Sequence, residues 1–76
     1  MSAAFADVLR RHRQKQGLSQ ETLAERAGLH AVYVSLIERK RRKPTLHVAA
    51  LLAEALGEPL SKLVSEAEQA TRGGRP

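Results

Sequence analysis

The sequence has no cysteine and no tryptophan, and only one phenylalanine and one tyrosine. Each shortage removes a class of answer. Without cysteine there are neither disulfides nor thiolate-bound zinc to staple a small fold. Well-packed helices and oligomerisation are the stabilising routes that remain. With almost no aromatic side chains there is no platform on which successive bases of a single strand could stack. No apolar run approaches the roughly 20 residues of a membrane span. Met1 to Asp7 lacks the basic start and long apolar core of a signal peptide. A soluble, cytoplasmic protein with no membrane partner is the expectation.

Acidic residues are outnumbered by basic ones, 8 against 13, giving a net charge of +5 and a pI of about 10.5. The excess is concentrated. Arg10, Arg11, Arg13 and Lys15 form one cluster, and Arg39, Lys40, Arg41, Arg42 and Lys43 form another. A uniformly solvated surface would scatter its charge, so this distribution points to a polyanionic partner, with double-stranded DNA leading. RNA is disfavoured, because the major groove of an A-form duplex is too narrow for a helix to read.

At 76 residues the chain is read as one domain over 1–70 with a disordered tail over 71–76. Gly17, Gly28 and Gly57 each close an apolar-periodic segment, and Pro44 and Pro59 stand at or just before new ones. This punctuation predicts an all-α, five-helix domain. The expected helices run from about Ala3 to Gln16, Gln20 to Ala27, Ala31 to Arg39, Thr45 to Leu56 and Leu60 to Ala70. Ser19 is the expected N-cap of the second helix and Thr45 of the fourth. No strand pattern, repeat or second domain is visible.

Residues 19–39 carry the functional signal. Two short helices joined by Gly28, Leu29 and His30 have the spacing of a helix-turn-helix, in which the second helix enters the major groove and the first crosses the backbone. Gly28 supplies the positive φ of the corner, Leu29 plugs it from inside, and Ala24 lets the two helices cross closely.

The segment GLSQETLAERAGLHAVYVSLIERKRRKPTL, residues 17–46, resembles the Xre/Cro/C1 family of helix-turn-helix regulators. The similarity continues through Ala53-x-Ala55-Leu56-Gly57 and Pro59-Leu60-x-x-Leu63 and covers about residues 5–65. It implies a compact lambda-repressor-like domain that binds DNA and regulates transcription. The size and the Tyr33-Val34-Ser35 segment are similar to the controller proteins of restriction-modification systems; phage repressors and antitoxins share most of the other features. The resemblance also assigns roles. Gln20 would bond a phosphate, helped by the free N–H groups of a helix N-terminus. Ala31, Val32 and Leu36 match positions that contact base edges. All three are apolar here and suit thymine methyls, leaving polar readout to His30, Tyr33, Ser35 or Arg39. Two readings stay open for Leu36, base contact or core, and two for Tyr33, DNA contact or packing. Arg13 and Glu38 match a buried structural ion pair. The sequence departs from the family at Lys40, where glycine is common, and at His30, where Ser, Thr or Asp usually caps the helix.

Arg39, Lys40, Arg41, Arg42 and Lys43 directly follow the recognition helix and are expected to bind phosphates. The fourth helix is apolar nearly all round. Leu46, Ala49, Leu52, Ala53 and Leu56 are assigned to the core. Val48, Leu51 and Ala55 then form a second apolar face, which with Val64 and Ala67 is expected to make a two-fold homodimer interface. A monomer with Val48 and Leu51 exposed is the alternative. His12, His30 and His47 have no metal-ligand spacing, and no nucleophile–base grouping or phosphate-cradling glycine loop is present. The protein is not read as an enzyme, and no metal, cofactor or small-molecule ligand is expected. An antitoxin-like protein-interaction module with secondary DNA binding is the competing function.

Overall fold

The computed structural model describes residues 2–73, which form five helices: α1 (Ser2–Lys15), α2 (Gln20–Ala27), α3 (Ala31–Glu38), α4 (Leu46–Ala55) and α5 (Leu60–Gly73). The local chemistry accounts for most of the boundaries. Ser19 is extended, and its hydroxyl accepts the Thr22 N–H at 3.0 Å to start α2. Thr45 does the same for α4 through the Val48 N–H at 3.1 Å. Each satisfies one of the donors that a helix N-terminus leaves without a partner.

Helix ends follow one pattern. At the end of α2, the Leu29 N–H reaches back to the Ala24 carbonyl at 2.8 Å and the Gly28 N–H to that of Glu25 at 3.2 Å, with Gly28 at φ 72°. This six-to-one and five-to-two bonding around a left-handed residue is the Schellman closure. Equivalent bonds close α1 at Gly17 and α4 at Gly57. The same closure ends α3, where the Arg41 N–H bonds the Leu36 carbonyl at 2.9 Å and the Lys40 N–H bonds that of Ile37 at 3.0 Å. There the left-handed residue is Lys40, at φ 64°.

The core is one cluster shared by all five helices. Val8 and Leu9 of α1, Leu23 of α2, Val34 and Ile37 of α3, Leu52 of α4 and Leu63 of α5 are its largest fully buried side chains. On α1 the stripe is Phe5, Val8, Leu9 and His12, the spacing of one helical face. The most extensive helix–helix contact joins α1 to α5, and α2 packs on both α3 and α4.

Three expectations need correction. Leu46 is 76% exposed rather than in the core. It lies on the extension of the Ala49–Leu52–Ala53–Leu56 stripe, but in the first turn of α4, beside a shallow groove lined by Phe5, Ala49, Leu60 and Val64. Ala67 is completely buried in the protomer's own core, one helical turn beyond Leu63, so its side chain cannot serve a dimer interface. Thr71 to Gly73, expected in a disordered tail, continue α5, and the rest of that expected tail, residues 74–76, lies outside the described residues. Val48, Leu51 and Ala55 are half-buried against the core, so the second face of α4 is partly covered within the protomer.

Candidate nucleic-acid interface

α2 and α3 stand as the two helices of the motif, joined by Gly28, Leu29 and His30. Leu29 packs against the core and fixes the corner. His30 is the N-cap residue of α3 and is extended, but its side chain makes no capping hydrogen bond. The first-turn N–H groups of α3 therefore keep their donors for a ligand or water.

α3 divides its residues between two faces. Val34, Ile37 and Glu38 are buried, and Ala31 and Tyr33 are half-buried against the core. Val32 is 70% exposed. Ser35 and Leu36 are half-buried, and Leu36 is not among the side chains packed on the core cluster. The most accessible position of the recognition helix is thus an isopropyl group, which in a major groove finds the methyl of thymine and little else.

The buried carboxylate of Glu38 organises the junction of three helices. Arg13 of α1 donates to it twice, from Nε to Oε2 at 2.7 Å and from Nη2 to Oε1 at 2.9 Å, and uses Nη1 to bond the Leu18 carbonyl at 2.8 Å. Gln20 of α2 donates its amide Nε2 to Glu38 Oε1 at 3.0 Å. The fork-on-fork geometry is the strong form of an arginine–carboxylate pair. It holds the Arg13 guanidinium above its ordinary pKa, against the opposite pull of burial. It also neutralises an anion that would otherwise repel phosphate beside the recognition helix. Gln20 commits one N–H of its amide to this network and retains the other. The network forms part of an open polar cleft lined by Arg10, Arg13, Gln20, Glu38 and Arg39. Arg10 belongs to the N-terminal basic cluster. Its place beside Gln20 and Arg39 depends on how α1 crosses α3, which spacing along the chain does not convey.

The loop after α3 carries five consecutive cations, all exposed. Lys40 is drawn back to Asp7 of α1 at 3.1 Å. Arg42 lies over the ring of Tyr33, with Cζ 5.4 Å from the ring centroid. Among the described residues, Arg39, Arg41, Arg42 and Lys43 have no carboxylate within ion-pairing distance. No group of His, Asp or Glu side chains there could hold a metal ion, and no helix is long and apolar enough to cross a membrane.

A second cluster, which sequence reasoning missed, ties α1 to α5. His12, 8% exposed, bonds Glu66 through Nε2 at 3.0 Å and faces Glu58 through Nδ1 at 3.6 Å. Arg11 reaches the same Glu66 oxygen at 2.9 Å. His12, and then Arg11, hold the Glu66 carboxyl below its ordinary range, against a smaller opposing effect of burial.

Comparison with known proteins places this geometry. Residues 9–63 match the family HTH_3, described as Helix-turn-helix. The control protein C.SmaI of Serratia marcescens is 43% identical over 61 residues, covering 80% of this chain and 73% of that protein. Among solved structures, the restriction-modification controller protein C.AhdI of Aeromonas hydrophila superposes with a TM-score of 0.78 at 41% identity, over 80% of this chain and 92% of that one. The clp gene regulator ClgR of Corynebacterium glutamicum gives a TM-score of 0.86 at 28% identity, over 91% and 73%. The arrangement of α2 and α3, the uncovered face of α3 and the span of the match agree: the chain belongs to the Xre-type helix-turn-helix family of DNA-binding transcription regulators.

Proposed function

We propose that the protein is a homodimeric, controller-type regulator that acts in the cytoplasm and reads a palindromic duplex site in the major groove. The observation that carries this reading is the surface running from α3 into the loop behind it. It begins with exposed Val32 and the uncapped helix start at His30 and ends in four cations without a carboxylate partner among the described residues. Val32 and Leu36 supply methyl contacts, with Ala31 at their edge. His30 and Ser35 supply polar atoms, and the ring of Tyr33 lies beneath Arg42. Arg39, Arg41, Arg42 and Lys43 bind phosphates, and Lys40 joins them when released from Asp7. The free N–H of Gln20 and the guanidinium groups of Arg10 and Arg39 offer a phosphate seat at the mouth of the polar cleft.

The homodimer is supported by Leu46. Its exposed side chain stands next to the groove formed with Phe5, Ala49, Leu60 and Val64, so that a knob and a hole are neighbours on one surface. A two-fold axis can satisfy both at once. Val48, Leu51 and Ala55 extend this surface along α4. Two recognition helices about 34 Å apart then read two half-sites. Because the dimer forms by mass action, occupancy of such a site rises steeply with protein concentration.

Selection of bound sites from random duplex DNA tests the reading. A two-fold-symmetric consensus is expected. The double variant Arg41→Ala/Arg42→Ala should weaken binding to every duplex and lower the log–log salt slope by about 0.9 for each phosphate that is no longer neutralised. An unchanged slope, or no enriched sequence, overturns the reading. Leu46→Asp should convert dimer to monomer in sedimentation without unfolding the chain.

A further inference from the structure

The five cations behind α3 share one loop but not one condition. Lys40 is paired with the carboxylate of Asp7 in an exposed contact, which offsets part of its charge. Arg39, Arg41 and Lys43 are exposed and make no side-chain hydrogen bond or ion pair among the described residues. Arg42 alone is tethered by an aromatic ring, that of Tyr33, two positions into the recognition helix and nine residues upstream in the chain.

An aromatic face is the one common tether that holds an arginine without consuming it. The attraction is between the cation and the ring quadrupole. It occupies none of the five N–H donors of the guanidinium and leaves its charge intact. The ring itself is anchored, because Tyr33 is half-buried and packed against the core. The loop backbone is anchored too, by the bonds from Lys40 and Arg41 to Ile37 and Leu36. Arg42 is therefore a full donor set biased toward one place beside the recognition helix, by the ring under its guanidinium and by the loop closure that ends one residue before it. A cation on a free chain finds whichever phosphate is near and carries no sequence information. One held at a fixed place meets a fixed feature of the duplex, and part of its ordering cost is met before binding.

Resting on the DNA-reading function above, we propose that Tyr33 is a positioning residue for Arg42, and that this pair makes Arg42 the loop cation that discriminates between DNA sites. Tyr33 contributes through the face of its ring and not through its hydroxyl.

The test uses the duplex that the wild-type protein selects from a random pool and a scrambled duplex of the same composition. Affinities are measured by fluorescence anisotropy for wild type, Tyr33→Phe, Tyr33→Leu, Arg42→Ala and the double variant Tyr33→Leu/Arg42→Ala. Tyr33→Phe keeps the ring face and should match wild type on both duplexes. Tyr33→Leu should lose about two- to fivefold on the selected duplex and almost nothing on the scrambled one. In the Arg42→Ala background the same change should cost nothing further, since the positioned group is gone. Additive losses overturn the proposal, as does a Tyr33→Phe defect equal to that of Tyr33→Leu, which would put the hydroxyl on DNA directly. Failure of the wild type to enrich any duplex overturns the DNA reading itself and this pair with it. A second readout needs no substitution. In the free wild-type protein, ring current from Tyr33 should move the δ-methylene protons of Arg42 upfield of those of Arg39 and Arg41 in the NMR spectrum. Coincident shifts for the three arginines overturn the proposal even if Tyr33→Leu lowers stability.

Discussion

α2 and α3 are neighbours of equal length, eight residues each, and their ends are built in opposite ways. α2 begins on Ser19 with a side-chain cap and ends on Gly28 in the left-handed conformation that glycine adopts freely. α3 begins on His30 without a side-chain cap and ends on Lys40, which holds the same left-handed conformation with a β-carbon in place. An absent cap costs about 1 kcal/mol, and a non-glycine left-handed residue costs about 1–2 kcal/mol. The helix that supports the motif is locally optimised, and the helix that reads DNA is not. What holds α3 is tertiary: buried Val34 and Ile37, and Glu38 clasped by Arg13 and Gln20. The ends of α3 carry a bare helix start and an added cation, and the stability they forgo is replaced from inside.

That contrast can be broken at its strongest point first. Glu38→Gln leaves Arg13 buried and charged without its partner, and a loss of about 3–5 kcal/mol is expected. Urea unfolding of the variant would measure it; a loss under about 1 kcal/mol would mean that the ion pair does not hold α3. The two helix ends form the next test. A β-carbon at Gly28 would meet nothing within 4 Å, so the cost of Gly28→Ala is conformational alone, about 1 kcal/mol. Lys40→Gly should gain a similar amount less the exposed Asp7 pair, worth under about 1 kcal/mol. In a domain of this size each kcal/mol moves Tm by about 4–8 °C, so opposite shifts in thermal melting would establish the asymmetry. His30→Ser should add about 0.5–1 kcal/mol by capping α3, and should weaken DNA binding if the bare N–H groups face phosphate. The smallest effect lies outside the helix pair. The folded-state pKa of Glu66 is lowered, so its contribution is complete above the ordinary carboxylate range and fades as pH falls through the depressed value. Glu66→Gln should lower stability at neutral pH, change little in acid where the carboxyl is already protonated, and so flatten the acid limb of a stability–pH profile.

The sequence was legible wherever structure is set locally. Glycine closures, the caps at Ser19 and Thr45, and the apolar stripe of α1 all follow from residues within one or two turns of one another. The family resemblance paired Arg13 with Glu38 and flagged Lys40 as a departure. What could not be read required knowing what lies opposite. Leu46 shares the periodic stripe of α4, yet the first turn of that helix sits at the rim of a groove and not beneath a neighbour. Ala67 follows Leu63 by one turn on α5, and periodicity alone does not say whether a partner or the same chain covers that turn; the same chain does. The contacts of Gln20 with Glu38, of Arg42 with Tyr33 and of His12 with Glu66 join side chains whose spacing carries no periodic signal.

The seam between α1 and α5 has a further consequence, for the order of events in folding. Four of the five helices end in closures that form within a few residues, so most of the architecture can assemble from contacts short in sequence, the condition for fast folding. The seam is different in kind, because His12 and Glu66 are separated by 54 positions and bring the first and last helices together. Closing that span is the most expensive loop in the molecule. Contacts made after the rate-limiting step act on how long the native state survives and hardly on how quickly it is reached. If the His12–Glu66 contact forms after that step, it lengthens the lifetime of the folded protomer without changing how quickly the protomer forms.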